Sequence, residues 1–233
     1  MKKIARLTLA TVVAALTFGT SIHSQNKSTP IEVKITGKTD HEKCVKGQRG
    51  TVTFNRFPAT VKEFEEVREK IGSEPHGAVA LQVMAYEMFR RNKETGSTCI
   101  ELNSVSNITG PDSAPIRQLS ILFNEDNSAH PYQMASMLKG ATPENGYNPI
   151  KPYTIEVYSD HGRGYEKSQA YQATVVRMYV VTSGRSDRKF PVSVVKTLKP
   201  DEPSKGKYFI VTNSPIYSRV QEKSFAQEFK GLE

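Results

Sequence analysis

The chain has no tryptophan and only two cysteines, Cys44 and Cys99, in 233 residues. So few cysteines exclude a disulfide-stapled miniprotein, and without a Cys-x-x-Cys pair there is neither a zinc ribbon nor a thioredoxin-like redox motif. The five histidines (His23, His41, His76, His130 and His161) never fall in His-Glu-x-x-His, so the spacing of a zinc hydrolase is missing. A Gly-x-Ser-x-Gly elbow is absent, and Ser-x-x-Lys occurs without its supporting motifs. Gly162-Arg-Gly164 lacks the third glycine and the strand–turn–helix context of a dinucleotide fingerprint. His41, Glu42 and Cys44 concentrate donor atoms, but an oxidised Cys44 cannot ligate, so neither metal nor cofactor is expected. No basic stripe is interleaved with aromatics, which argues against nucleic acid as a partner.

Long apolar runs are also lacking. The longest opens the chain, from Leu7 to Phe18, preceded by Lys2, Lys3 and Arg6 and followed by Gly19, Thr20 and Ser21. A membrane span needs about 20 apolar residues. A shorter run with basic residues before it and small residues after it reads as a secretory signal peptide over residues 1–24. No membrane span is expected after its removal, and the expected location is secreted or periplasmic. The formal charge of +8 then falls to +5, because three of the 32 Lys+Arg and none of the 24 Asp+Glu lie in residues 1–24. The remaining charge is mixed in sign, as on a solvated surface. In an oxidising compartment Cys44 and Cys99 are disulfide candidates, and closing that loop would stabilise by about 4 kcal/mol. The alternative is a pair of buried free thiols.

What is present describes an α+β chain. Residues 25–49 form a polar segment, although Ile31–Thr36 alternates like a strand, as does Thr51–Phe57. Thr60-Val-Lys-Glu63 is a capping box. Phe64, Val67 and Ile71 follow at helical spacing, with Gly72 placed for a left-handed stop. Pro75 opens a second helix that is apolar on nearly every side from Ala78 to Phe89, the mark of a buried core helix. Thr98–Leu102 reads as a short strand, Ile116–Phe123 as either strand or helix, and Pro131–Leu138 as a short helix ending at Gly140. Beyond Tyr153 the period becomes two, over Tyr153–Tyr158, Tyr171–Thr182, Phe190–Leu198 and Lys207–Thr212. Helices over about 60–71 and 75–92 are therefore expected to pack on a C-terminal antiparallel β-meander. The single α+β domain is placed at 50–222, with a tail at 223–233.

Several stretches resemble a family of exported bacterial proteins catalogued only as a domain of unknown function. They are Phe57–Phe64 running into Gly77–Leu81, Lys139–Tyr147 with Pro152–Val157, and the Ser183-Gly184 turn. Asp187 departs from the pattern, standing three places after Gly184 rather than two. The resemblance implies an envelope or secreted protein of α+β build and implies no activity.

Ligand-binding candidates come from the loops. Arg163, Arg185 and Arg188 are placed to meet an anionic group, and Tyr147 or Tyr165 to stack on a ring. Tyr147, Tyr153, Tyr158, Tyr165 and Tyr171 crowd one region, either as a docking surface or as core filling for the sheet. No catalytic residue is assigned. The expected function is that of an exported binding module for an envelope or extracellular ligand or protein. The alternative is a secreted hydrolase using Asp160 and His161, or a Cys99 thiol.

Overall fold

The computed structural model describes residues 29–39, 48–105, 113–124, 130–160, 165–169, 173–196, 206–211, 216 and 218–233. Residues 1–30 and 31–233 make separate units. In the first, Thr29 and Pro30 are described, both exposed and outside regular structure. The leader reading and Cys44 fall outside the described residues.

The second unit is α+β, as the periodicities indicate. Its helices are α1 (Val61–Ile71), α2 (Pro75–Arg91), α3 (Lys93–Leu102) and α4 (Ala114–Leu122). Its strands are β1 (Val33–Gly37), β2 (Arg49–Phe54), β3 (Tyr153–Ser159), β4 (Tyr165–Ser168), β5 (Ala173–Val181), β6 (Lys189–Lys196) and β7 (Tyr208–Ile210). All pair antiparallel in one sheet of order β1-β2-β3-β5-β6-β7, with β4 also on β5. The sheet is therefore more than a C-terminal meander. The N-terminal strands extend it, and α1 to α4 are inserted between β2 and β3.

Helix α2 is the centre. Residues Pro75 to Phe89 are all buried, and the helix touches α1, α3 and strands β2, β3, β5, β6 and β7. The inward-facing residues of the strands supply its cover: Val52 and Phe54, Ile155 and Val157, Met178 and Val180, Val192 and Val194. Each buried polar side chain on this helix consequently needs a partner, from its cover or from the helix itself. Glu87, wholly buried, takes bonds from Arg90 at 2.7 and 2.9 Å and from Arg91 at 2.8 Å. Gln82 accepts from Asn103 at 2.8 Å. His76 Nδ1 meets the Thr39 hydroxyl at 2.9 Å.

Local reading fails in instructive places. Thr60 caps α1 as read, accepting the Glu63 amide at 3.2 Å, but the Glu63 carboxylate accepts the amide of Ala59 at 2.8 Å while holding Arg56 at 2.6 and 3.1 Å. Gly72 keeps φ −69°, so the left-handed stop is corrected to a right-handed one. Thr98–Leu102 is helical, not a strand. Asn92 caps α3 by accepting the Thr95 amide at 2.9 Å, and packing on α2 overrides the β-preference of the short run. Pro131–Leu138 forms two 3-10 turns, His130–Tyr132 and Ala135–Met137, rather than one helix. The folded unit also extends past 50–222. Strand β1 belongs to the sheet, and Leu232 is buried in the core.

Helices α2 and α3 meet at Gly96, where a Cβ would lie 2.0 Å from Phe89 Cα. Helix propensity alone makes Gly→Ala favourable by about 1 kcal/mol. Here overpacking against backbone decides the sign, and Gly96→Ala is expected to destabilise by about 2 kcal/mol in urea denaturation. His76 supplies a second test. Burial pushes its pKa from 6.5 down to about 4, the Thr36 carbonyl only partly offsetting this. The unfolded chain takes up the proton first as pH falls, so stability is full above about pH 6.5 and is lost toward pH 4, by about 3 kcal/mol. Denaturation midpoints between pH 8 and pH 4 should show that slope, and it should flatten in His76→Asn.

Candidate functional site

The site arises where two strands part. Strands β3 and β5 pair only from Val157↔Val180 to Ser159↔Met178. Beyond Val157 they splay, and residues 136–139 wedge into the fork. Leu138 bridges to Ile155, the Lys139 amide donates to the Thr154 carbonyl at 2.9 Å, and the Ser183 amide donates to the Ser136 carbonyl at 2.9 Å. Between wedge, fork and the β5–β6 turn lies a pocket of about 420 Å³, within the usual range for small-molecule sites.

One wall is the segment from Ser136 to Glu144, and the other is the turn from Thr182 to Arg188, with Thr154 and Glu156 from β3. The first wall is rigid for a reason visible in Asn145. Its Oδ1 accepts the amides of Thr142 at 2.9 Å and Asn148 at 3.1 Å, and its Nδ2 donates to the carbonyls of Gly140 at 2.7 Å and Asn148 at 3.0 Å. All four hydrogen-bonding positions of the side chain are thus spent on its own loop. The second wall is held by Thr182, which donates to Ser136 Oγ at 3.0 Å and accepts the Gly184 amide at 3.0 Å.

The C-terminal residues tie the walls together. Gln221 donates its amide to Gly184 at 2.9 Å, and Ser224 donates to Pro143 at 2.8 Å. Tyr147 Oη donates to the Gln221 carbonyl at 2.7 Å. A Cβ on Gly184 would sit 2.6 Å from Val220, so only glycine lets the strap lie this close. Such a tie is beyond periodicity arguments, because residues 218–233 form no helix or strand.

Charge around the pocket is paired with one exception. Lys139 lies 3.6 Å from Glu156, and Arg185 binds Asp187 at 2.9 and 3.2 Å. The Arg185 guanidinium holds the Asp187 carboxyl below its usual range. The Glu144 carboxyl is likewise lowered, by its own backbone amide, the Thr142 hydroxyl and the field of Arg188. Arg188 and Glu144 attract each other without forming an ion pair.

Backbone strain gathers at the same place. Among the described residues only Tyr147, at φ 57°, and Arg188, at φ 53°, are non-glycine residues with positive φ. One follows the first wall and one ends the second. Such conformations cost about 1–3 kcal/mol each and concentrate at binding sites.

The sequence candidates divide accordingly. Arg185 and Arg188 line the pocket. Tyr147 does not face a ligand: it is fully buried, stacked on Tyr132 at 4.6 Å. Tyr153 is buried as well, so core filling accounts for both. Tyr165 opens β4 opposite Val176. Arg163 and His161 lie outside the described residues, while Asp160 accepts from Tyr179 Oη at 3.1 Å. Sequence reasoning missed Lys139, Glu144, Glu156 and Ser183 as lining residues, although all four stand in stretches that carried the family resemblance.

Cys99 is a free thiol, wholly buried in α3, in line with the buried-thiol alternative, while Cys44 lies outside the described residues. Burial, aided by Glu65, pushes its pKa up to about 12. A thiol kept protonated and away from solvent is no nucleophile, which removes the Cys99 form of the hydrolase reading. Ser136 and Lys139 have Ser-x-x-Lys spacing in the pocket wall, but Ser136 Oγ donates to the Gln133 carbonyl at 2.8 Å and Lys139 turns to Glu156. Among the described residues no three His, Cys, Asp or Glu side chains gather to hold a metal, and no helix is long and apolar enough to cross a membrane.

The fold and the fork pocket thus define an α+β module with a small-molecule-sized cleft. The chain belongs to the family described as a domain of unknown function (DUF6935), which matches residues 56–224 and so takes in both pocket walls. No curated protein and no solved structure matches it.

A thiol reagent checks the Cys99 assignment. In the native protein Cys99 is expected to react at least about a hundredfold more slowly than in urea, given its burial and raised pKa. Labelling of Cys99 at the unfolded rate in native buffer would contradict it.

Proposed function

We propose that this protein is an exported, soluble binding module of the bacterial cell envelope, and that its ligand occupies the fork pocket. The leader-like pattern in residues 1–24 supports export, and a span-length apolar run is missing from the sequence. The observation that carries the binding reading is the coincidence of the pocket with the two strained residues. Tyr147 follows the first wall and Arg188 ends the second, both held at positive φ, and such strain concentrates at binding sites.

The pocket is built for recognition rather than chemistry. Its lining offers hydroxyls, backbone amides and charges but no histidine or cysteine, and Ser136 already donates its hydroxyl proton within the wall. Binding a small ligand across the cleft would join the β5–β6 turn to the 139–144 segment, linking two pieces that the C-terminal strap already holds together.

Ser186 is exposed and lines the mouth, so Ser186→Trp fills the pocket with little effect on the core. Native mass spectrometry of protein recovered from the envelope or medium should show a chain short of its leader, carrying a small-molecule adduct. In Ser186→Trp the adduct should be lost with the melting temperature unchanged. An adduct that survives the substitution would place the ligand elsewhere, and retention of the leader in the cytosolic fraction would end the export half.

A further inference from the structure

The ligand's class follows from which charges in the pocket are left without partners, an argument that rests on the fork pocket being the binding site. Five charged side chains line it: Lys139, Glu144, Glu156, Arg185 and Arg188. Lys139 and Glu156 pair with each other, and Arg185 pairs with Asp187 beside the pocket. The remaining two are opposite in sign and stand on opposite walls, Glu144 on the loop after the wedge and Arg188 at the end of the β5–β6 turn. Each feels the other's field, yet no ion pair joins them.

Both are fixed in place from below. The Arg188 amide donates to the Arg185 carbonyl at 3.0 Å, and its carbonyl accepts from Thr182 at 3.1 Å, which holds its strained backbone. Glu144 interacts with its own amide and with the Thr142 hydroxyl, in the loop locked by Asn145. A purely anionic ligand drawn to Arg188 meets the Glu144 carboxylate, and a cation meets the reverse. A neutral sugar leaves both charges to water, and the lining contains no aromatic ring for it to stack on. A molecule with a positive end and a negative end satisfies both walls at once, since charge complementarity selects against partners that leave one charge opposed or unpaired.

We infer that the pocket takes a zwitterion with an ammonium directed at Glu144 and a carboxylate directed at Arg188, that is, a short peptide with free termini or a free amino acid. The guanidinium suits a carboxylate through its paired donors, and Val181, Met137 and Ala141 give a small side chain an apolar surface.

Calorimetry on the purified protein tests this with Ala-Xaa dipeptides, their N-acetylated and C-amidated forms, free amino acids, inorganic phosphate and maltose. Free dipeptides or amino acids are expected to bind, and either cap should weaken binding at least about tenfold. Preference between dipeptide and amino acid separates the two sources. Arg188→Ala should erase the discrimination between acid and amide while keeping that between free and acetylated amine, and Glu144→Gln should do the converse. A merely structural role for either residue would not move one preference alone. Equal binding of capped and free forms overturns the inference, as does no heat from any zwitterion. If phosphate or maltose binds instead and Ser186→Trp abolishes it, the zwitterion falls and the pocket stands. If Ser186→Trp still carries the native adduct, the pocket falls as well.

Discussion

A helix with no side facing water is the constraint on which the rest depends. Helix α2 runs its whole buried length through the middle of the unit, so the chain must supply cover in every direction. The sheet covers one side, while α1 and α3 complete the other. The apolar contacts stabilise without direction, whereas the three polar residues on α2 act as locators. His76 takes Thr39, Gln82 takes Asn103, and Glu87 takes two arginines. The first two each tie a different piece of cover to a definite level of the helix, while Glu87 is held by the end of α2 itself; a buried polar atom without its partner is costly. Arg91 extends the chain of ties by donating to the Leu232 carbonyl at 2.7 Å, which reaches the end of the sequence.

This explains which parts of the fold are legible in the sequence. The all-round apolar pattern of Ala78–Phe89 identifies the core helix outright, and alternation beyond Tyr153 identifies the strands, because both patterns are produced by burial itself. Segments whose form is decided by a neighbour are harder. Thr98–Leu102 has the β-branched and apolar content of a strand, yet Gly96 lets it lie so close to Phe89 that a helix fits there. Gly72 has the freedom to turn left-handed and does not use it; its carbonyl instead accepts the Tyr208 amide at 2.9 Å. Gly50 in β2 is unremarkable in the sequence, but a Cβ there would lie 2.4 Å from the His76 ring. Contacts made by segments dozens of residues apart leave no periodic trace.

The candidate site was half visible for the same reason. Arg185 and Arg188 stand out as cations on a turn, a local property. The wedge does not stand out, since residues 136–139 function as a short substitute strand without forming one. Tyr147 shows the opposite error: an aromatic in a glycine- and proline-rich loop looks exposed, but the loop folds it under to stack on Tyr132 and brace the strap. Charge on the pocket walls could be counted from the sequence. Which charges neutralise one another could not, because Lys139 and Glu156 meet only through the Leu138–Ile155 bridge.

The strap has a consequence for the order of assembly. Strand β2 finds its partner β3 about a hundred residues later in the chain, and both pocket walls await residues 220–224 for their final ties. On a chain made or delivered from its N-terminus, the helical core can collect early, but the sheet stays open at one edge and the pocket stays unformed until almost the last residues emerge. Closing such distant pairs is slow, because loop entropy must be overcome before the contacts repay it. The cleft is therefore among the last parts of the molecule to exist, and a chain still short of residues 220–224 has both walls but not the ties that set them against each other.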